Sequence, residues 1–310
     1  MSASLSIRDL RESDLAAADR VFRLAFGTWF QVPDPMQFRG DAALFEPRLR
    51  ANPDGGIVAE QNGAIVGLGF ASRWGSLGLL GPIAVLPHLW RQGAARQLVG
   101  PVLEIFARWR CPLAGLFTFP HSATHLRLYQ EFGFWPRHLT PVMAKPVAAA
   151  APVSGSVSLA TERGLMAGCR ALTDAAFPGL DLSREITAVL DGGIGDVIAL
   201  ASGSQVEGFA ICHCGAGSEA GSKGFYIKFA LVKPGGGAAE RFARLLDSCE
   251  AVAARRGVAQ LSAGCSTGRH HAYRLMVERG FRTQLMGVQM LRPWQEGFDR
   301  PEVWAIDDWR

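Results

Sequence analysis

The sequence has 310 residues, of which 48% are hydrophobic and 19% are charged, and its formal net charge at pH 7 is +4. This composition is typical of a globular protein and excludes a disordered chain, and the length favours two domains. It contains no stretch of roughly 18 uninterrupted apolar residues, so we predict no membrane span. Its Lys and Arg residues are spread along the chain, so no nucleic-acid or membrane surface is predicted.

The cysteines and the first residues point to the cytoplasm. The six cysteines are too few and too scattered for a disulfide framework, so we expect reduced and mostly buried thiols. Residues 1–15 contain acids and a strand-like alternation in place of an apolar signal segment.

The first half of the chain shows alternating strand and helix patterns. The predicted elements are a strand at 5–7, a helix after Ser13-Asp14, hairpin strands at 57–60 and 64–71, a strand at 77–85, a helix after Gly93, a strand at 113–119 and a helix at 121–132. Residues 26–38, rich in aromatics and Pro, are predicted to be loop with a short helix.

The second half repeats this order after a predicted linker. Residues 144–158 are small, include two prolines and lack a periodic apolar face. We therefore predict domains at 1–146 and 157–310, joined by a linker at 147–156. The predicted elements are strands at 157–160, 196–201, 207–214, 225–232 and 260–264, with helices at 167–176, after the glycine-rich turn 234–237, and at 270–279. Residues 125–134 and 272–281 agree at five of ten positions, which predicts an internal duplication.

The strongest candidate for a binding site is the start of the helix after the strand 77–85. The residues Arg91-Gln92-Gly93-Ala94-Ala95 open this helix, whose first N–H groups lack intrahelical partners and lie at the positive end of the helix dipole. Such a helix start is a natural anion site, and we expect a phosphate over residues 91–96. The alternative is that the small residues only allow close packing of the helix on the sheet.

Two motifs in this order resemble those of the GNAT-superfamily N-acetyltransferases, across nearly all of residues 5–146. The first is Val85-Leu86-Pro87 followed by the turn at 91–95, which in that family binds the pyrophosphate of coenzyme A. The second is Leu128-Tyr129, then three residues, then Gly133-Phe134. Trp90 departs from the pattern, because the family usually has Arg or Gln there. The layout in two halves resembles the tandem members of the superfamily, among them the mycothiol synthases.

The resemblance implies an α/β (α+β) fold of two tandem domains, each with a mixed, mostly antiparallel twisted sheet flanked by helices. It implies an acetyl-CoA-dependent N-acetyltransferase that acetylates a primary amine of a small molecule or peptide, with its active site in the N-terminal domain. The alternatives are a catalytically silent acyl-CoA sensor or partner-docking protein, and a scaffold.

The resemblance also assigns the site residues, without a metal. The main chain of Ile83, Ala84 and Val85 would bind pantetheine like an added strand, and a strand N–H would face the thioester carbonyl. Tyr129 would donate a proton to the leaving thiolate; the alternative is a packed helix aromatic. The remaining residues assigned to cofactor binding are Arg91, Gln92, Gly93, Ala94, Ala95, Arg96 and Ser122.

The general base stays open at this point. Glu60, His88, His121 and Ser122 are candidates, and water or an already neutral amine is an alternative to a dedicated base. The aromatic residues Phe26, Trp29, Phe30 and Phe38 either line an acceptor pocket or close the core.

The second half is predicted to be a degenerate copy. Its turn lacks the arginine, and Met276, which cannot donate a proton, replaces the tyrosine. Cys212-His213-Cys214 is expected to hold core thiols, since alternation along a strand sends His213 to the opposite face. The sequence at 294–310 has no motif that we can interpret, and the acceptor and the oligomeric state stay open.

Overall fold

The computed structural model describes residues 5–148 and 151–310 of the chain. The helices are α1 (Leu15–Trp29), α2 (Phe45–Ala51), α3 (Ala94–Arg108), α4 (Ala123–Glu131), α5 (Met166–Ala176), α6 (Ser183–Gly192), α7 (Ala238–Arg255) and α8 (His270–Glu278). The strands are β1 (Ser6–Asp9), β2 (Gly56–Gln61), β3 (Ala64–Trp74), β4 (Leu77–Val85), β5 (Leu113–Thr118), β6 (Trp135–Pro146), β7 (Ser156–Ser158), β8 (Gly195–Ser202), β9 (Gln205–Gly215), β10 (Gly221–Val232), β11 (Gln260–Gly264), β12 (Arg282–Arg292) and β13 (Ala305–Ile306).

These strands form one sheet in the order β1-β2-β3-β4-β5-β12-β6-β11-β10-β9-β8-β7, with β13 added to β10. The pairs β4–β5 and β10–β11 are parallel, and the other pairs are antiparallel. A parallel pair needs a crossover, which α3 supplies in the first half and α7 in the second. The predicted fold class, a mixed and mostly antiparallel sheet flanked by helices in a tandem arrangement, is confirmed.

The two halves exchange their last strands. Strand β12 lies between β5 and β6, with Leu291 opposite Gly115, and β6 lies between β12 and β11, with Val142 opposite Gly264. Neither β6 nor β12 was among the predicted elements. Residues 144–146, at the start of the segment 144–158, belong to β6. Of the predicted linker 147–156, Ser156 belongs to β7, and residues 149 and 150 lie outside the described part. The division at 147–156 stays a prediction.

Helices cover both faces of the sheet. Apolar residues of α1 and α2 pack on Val58 and Leu68, and those of α5 and α6 pack on Val197 and Phe209 on the same side. Helices α3 and α4 cover the opposite face of the first half, and α7 and α8 that of the second half. Successive side chains of each strand point to opposite faces of the sheet, so each strand packs against the helices on both sides.

Helices α2 and α6 were not predicted, and α1 extends to Trp29, into the segment predicted as loop. The short helix expected in that segment is a single helical turn, Pro35–Gln37. Helices α2 and α6 pack against each other across the two halves, so they gain stability from tertiary contacts that a short sequence window does not show.

Candidate active site

Strand β4 separates from β5 halfway along its length. The two strands pair only from Leu77 to Leu80 of β4, opposite residues 113–116 of β5. The register of β3 against β4 then shifts, because Ala71 lies opposite Leu80 whereas Gly69 lies opposite Ile83. This bulge at Gly81-Pro82 turns β4 away from β5 and leaves an edge beside which no described strand lies.

Ile83 and Val85 direct their main-chain polar groups into this split. The Leu86 N–H donates to the Val66 carbonyl at 2.9 Å, so Leu86 and Val66 form a hydrogen-bonded pair between β4 and β3. Because antiparallel pairs alternate, Ala84 also bonds to β3, whereas the N–H and C=O of Ile83 and Val85 point away from β3. Of the three residues expected to bind pantetheine, Ala84 therefore has its main-chain groups paired within the sheet.

The Trp90 side chain forms a hydrogen bond with one of these main-chain groups. Its Nε1 donates to the Val85 carbonyl oxygen at 2.8 Å. The replacement of the family's Arg or Gln therefore places an indole on the edge of the split, and Ile83 is the residue whose N–H and C=O both point into it.

The start of α3 has the geometry of an anion cradle. Gly93 precedes the helix with a φ of 79°, in the left-handed region, and a Cβ at this position would meet no atom within 4 Å. The first turn of α3 has no side-chain cap and no acidic residue. Main-chain N–H groups of residues 94–96 therefore lack intrahelical acceptors, at a turn where Gly93 borders open space.

Side chains around this turn are partly committed to contacts within the protein. Gln92 donates to the His88 carbonyl at 2.7 Å, and the Arg96 guanidinium lies 3.2 Å from the Glu131 carboxylate of α4. Arg91 is exposed. Ser122 is the N-cap of α4, where its Oγ accepts the His125 N–H at 3.4 Å. The cofactor contacts predicted for these four side chains stay predictions.

Tyr129 lies beside the split. It is 8% exposed and packs in the same apolar cluster as Leu80, Val85 and Leu116. Burial raises the pKa of Tyr129 above its usual value of 10. The phenol is therefore protonated at neutral pH, as a proton donor must be.

The corresponding split in the second half is filled by the chain itself. Strand β10 leaves β11 after Ile227, but β13 pairs with its edge, with Ile306 opposite Ala230 and Ala305 opposite Leu231. In addition, the Val232 N–H donates to the Trp304 carbonyl at 3.1 Å. The segment 294–310, which the sequence left without an interpretation, thus supplies a strand where the first half has an open edge.

A buried network of charges, missed in the sequence, connects the two halves at the bulge of β4. Arg48 of α2 donates to the Gly81 carbonyl at 3.0 Å and pairs with the Glu219 carboxylate at 2.9 Å. Lys228 lies 2.7 Å from Glu219 and 2.8 Å from Glu185. Although burial alone would raise the pKa of Glu219, the charges of Arg48 and Lys228 hold it well below its usual range. These residues belong to no motif and meet only through the packing of the halves.

The Cys212-His213-Cys214 segment has the predicted orientation. The two thiols lie in the core under α7, with the Cys212 Sγ 3.9 Å from the Cys249 Sγ. His213 points to the opposite face, where its Nδ1 accepts the Glu219 N–H at 3.4 Å. Within residues 5–148 and 151–310, no group of three or more His, Cys, Asp or Glu side chains is arranged to hold a metal ion.

His213 makes stability depend on pH. Burial lowers the pKa of His213 to about 4, below the ordinary value of 6.5, so the unfolded chain binds its proton first as the pH falls. The stability that this group contributes is present above pH 6.5 and is lost on acidification. We expect a loss of about 2 kcal/mol of unfolding free energy between pH 7 and pH 5.

Denaturant unfolding of the wild type and of His213→Gln at both pH values measures this loss. Between pH 7 and pH 5 the variant should lose about 2 kcal/mol less unfolding free energy than the wild type. The other titrating groups are the same in both proteins, so their contributions cancel when the two losses are subtracted. Equal pH dependence of the two proteins would contradict the assignment.

The predicted base candidates lie in ordinary surroundings. Glu60 pairs with Arg8 at 2.6 Å between β1 and β2, and His88 and His121 are exposed. The structure thus singles out no general base among them.

The aromatic cluster divides into two parts. Phe26 and Phe38 pack on the core between α1 and the sheet, whereas Trp29 and Phe30 are 36% and 37% exposed. The ring centroids of both exposed residues lie within about 6 Å of that of Phe119, which directly follows β5. Trp29 and Phe30 are therefore the members placed to line an acceptor pocket.

Comparisons with known proteins identify the family of the first half and the fold of the whole chain. Residues 18–134 match the model of the acetyltransferase (GNAT) family. A comparison with curated proteins finds no significant match. No helix of the described chain is both long enough and apolar enough to cross a bilayer.

Solved structures of similar fold cover nearly the whole chain. A putative acetyltransferase from Pyrococcus horikoshii has a TM-score of 0.71 at 16% identity, covering 98% of this chain and 95% of its own. A GCN5-related N-acetyltransferase from Sphaerobacter thermophilus has a TM-score of 0.59 at 16% identity, covering 94% and 96%. A tandem GNAT protein from the clavulanic acid biosynthesis pathway has a TM-score of 0.59 at 12% identity, covering 93% and 98%. The first half of this chain thus carries a domain of the acetyltransferase (GNAT) family, and the whole chain has the tandem GNAT fold.

Proposed function

We propose that this protein is an acetyl-CoA-dependent N-acetyltransferase whose active site is the split between β4 and β5. The observation that carries the proposal is the unpaired edge of β4 at Ile83, next to the bulge, on the strand that precedes α3 and its uncapped start. The extended pantetheine arm of coenzyme A fits such an edge as an added strand, and the helix start binds the phosphates of coenzyme A. The six free cysteines, five of them buried, are compatible with a cytoplasmic setting.

In the proposed reaction the lone pair of a neutral primary amine attacks the thioester carbonyl carbon. The new C–N bond forms, the C–S bond breaks, and its electron pair leaves with sulfur. Tyr129 gives its proton to that sulfur, and the proton released by the nitrogen passes to water, from which the phenolate is reprotonated. The products are an acetamide and coenzyme A. The Ile83 N–H supports the oxyanion of the intermediate.

Tyr129 suits this task by its position. Burial raises the pKa of its phenol, which keeps the phenol protonated at neutral pH but makes it a weaker acid than a free tyrosine. Proton transfer to sulfur therefore depends on the negative charge that develops on sulfur beside the phenol as the C–S bond breaks. Positioning of the two substrates supplies the rest of the acceleration.

The second half is proposed to lack a cofactor site. Its split is filled by β13, and Met276 stands where the first half has Tyr129. One acetyl-CoA should therefore bind per chain, which calorimetry measures as a stoichiometry of one. A stoichiometry of two would overturn this part of the proposal.

An acetyl-CoA turnover screen tests the function directly. Release of coenzyme A thiol is followed with amino acids, polyamines, aminoglycosides and peptides with free N-termini. Amine-dependent thiol release supports the transferase. Binding of acetyl-CoA without turnover of any amine would replace it with the sensor, and no binding at all would leave the scaffold.

A further inference from the structure

Arg310 lies next to the bulge of β4, on the face of the sheet that carries α1 and α2. The Arg48 guanidinium links Arg310 to this bulge. It donates through Nη1 to the Gly81 carbonyl and through Nη2 to the main-chain oxygen of Arg310. The start of α3 lies on the opposite face of the sheet. If acetyl-CoA enters the split from there, the amine that receives the acetyl group must approach from the side of Arg48 and Arg310.

Arg310 has a donor that the described residues leave unused. Its guanidinium pairs with Asp308 at 2.9 Å and lies 5.0 Å from the centroid of the Tyr226 ring. Its Nε is buried and has no hydrogen-bond partner among the described residues. A buried donor without an acceptor is unfavourable unless a ligand or water satisfies it.

Arg39 belongs to the loop between α1 and α2, which is held in place by Arg23. The guanidinium of Arg23 donates to the carbonyl oxygens of Phe38, Gly40 and Ala42 at 2.6, 2.7 and 2.9 Å. Arg39 itself is exposed and donates from Nη2 to the Glu219 main-chain oxygen at 2.6 Å. The loop thus presents a fixed cation, which loses little entropy when a ligand binds.

The two arginines are neighbouring like charges, and of the two only Arg310 forms a salt bridge within the described residues, with Asp308. Although part of the Arg39 residue is exposed, loss of hydration at its guanidinium lowers the pKa of Arg39, and the positive charge of Arg310 lowers it further. The carboxylates of the same region already have partners within the described chain. They are Glu219 with Arg48 and Lys228, Glu185 with Lys228 and Trp74, and Asp308 with Tyr226 and Arg310.

We propose that the acceptor is a primary amine that also bears a carboxylate, and that Arg39 and Arg310 bind this carboxylate. The inference rests on the proposed acetyltransferase function and deepens it. Guanidinium groups match carboxylates in shape and charge, and they bind them through short charge-assisted hydrogen bonds. A polyamine or aminoglycoside would bring further positive charge to a region whose carboxylates are already paired, so such acceptors are disfavoured.

Matched pairs of amines test the inference with the full-length protein. Phenylalanine and lysine carry the carboxylate, whereas phenethylamine and cadaverine are the same amines without it. We expect the KM of each amino acid to be lower than that of its partner by about tenfold or more, the effect of losing a charge-assisted contact. The KM for acetyl-CoA should be the same with all four acceptors.

Variants of the two arginines assign the effect to its residues. Arg39→Gln and Arg310→Gln should each raise the KM for the amino acids by about tenfold or more, without changing the KM for the amines that lack a carboxylate. Arg39→Lys should fall between the wild type and Arg39→Gln, since it keeps the charge and loses the planar fork. The control is Arg50→Gln. Arg50 is an exposed arginine of α2 whose one salt-bridge partner among the described residues is Glu46, at 3.1 Å, and its replacement should change neither KM. Thermal unfolding confirms that each variant is folded.

The outcomes separate this inference from the proposed function. Lower KM values for the amino acids that disappear in the variants would support the carboxylate site. Equal use of both members of a pair, or variants with unchanged KM values, would overturn the carboxylate site and leave the transferase standing. No thiol release with any amine, while acetyl-CoA still binds, would overturn the transferase and this inference with it.

Discussion

Replacement of Tyr129 by Phe is expected to lower kcat for acetyl transfer by about 10²- to 10⁴-fold, the usual contribution of a positioned acid. The ring stays in the apolar cluster beside the split, so the fold and the affinity for acetyl-CoA should be retained. Only the hydroxyl that protonates the leaving thiolate is lost. Steady-state thiol release measures kcat, and calorimetry measures acetyl-CoA binding to the same protein.

Two controls accompany this prediction. Tyr273→Phe removes a hydroxyl from α8, on the other half of the chain, and should leave kcat unchanged. The pH profile is the second control, because the raised pKa of Tyr129 means that wild-type activity should not fall through loss of its proton up to about pH 10. A Tyr129→Phe protein with wild-type kcat would show that water, rather than this phenol, protonates the sulfur.

Replacement of Gly93 by Asp is expected to weaken acetyl-CoA binding by roughly 100-fold or more. The new carboxylate would stand in the open space at the start of α3, where the phosphates are proposed to bind. Like charges about 4 Å apart near a protein surface repel by about 4 kcal/mol, which exceeds the energy of a 100-fold change. Calorimetric titration with acetyl-CoA measures the affinity.

The matched control for Gly93→Asp is Gly63→Asp in the hairpin turn between β2 and β3. Gly63 has a φ of 77° and Gly93 one of 79°, and a Cβ would meet open space at both positions. The two substitutions therefore carry a similar backbone cost, of about 1 to 2 kcal/mol at most. Only the variant at Gly93 should lose acetyl-CoA, and equal affinities of the two variants would place the phosphates elsewhere.

The local elements and the cofactor motif could be predicted from the sequence because they depend on neighbouring residues. Periodic apolar positions predicted the strand 77–85 and the helix after Gly93, and Gly93 adopts the left-handed φ that glycine tolerates. The opposite orientation of His213 and the two neighbouring thiols followed from strand alternation alone.

Other features could not be predicted because their partners are distant in sequence. Arg48 meets Glu219 across 171 residues, and Arg39 reaches the main chain of the same glutamate across 180. Strands β6 and β12 pair with each other and with strands of the opposite half, so no local pattern shows where they lie. Sequence motifs for such contacts do not exist, since any residue of suitable charge can meet its partner once the halves dock.

The sequence by itself determined that this protein has two similar halves and that the first half carries the two family motifs. Short-range physics decides both features, through turn geometry, helix starts and apolar periodicity. Only the tertiary structure decided which split stays open and which is filled by β13, and which charges surround the bulge of β4. These features depend on long-range packing, where the main-chain and side-chain polar groups of one half must find partners in the other.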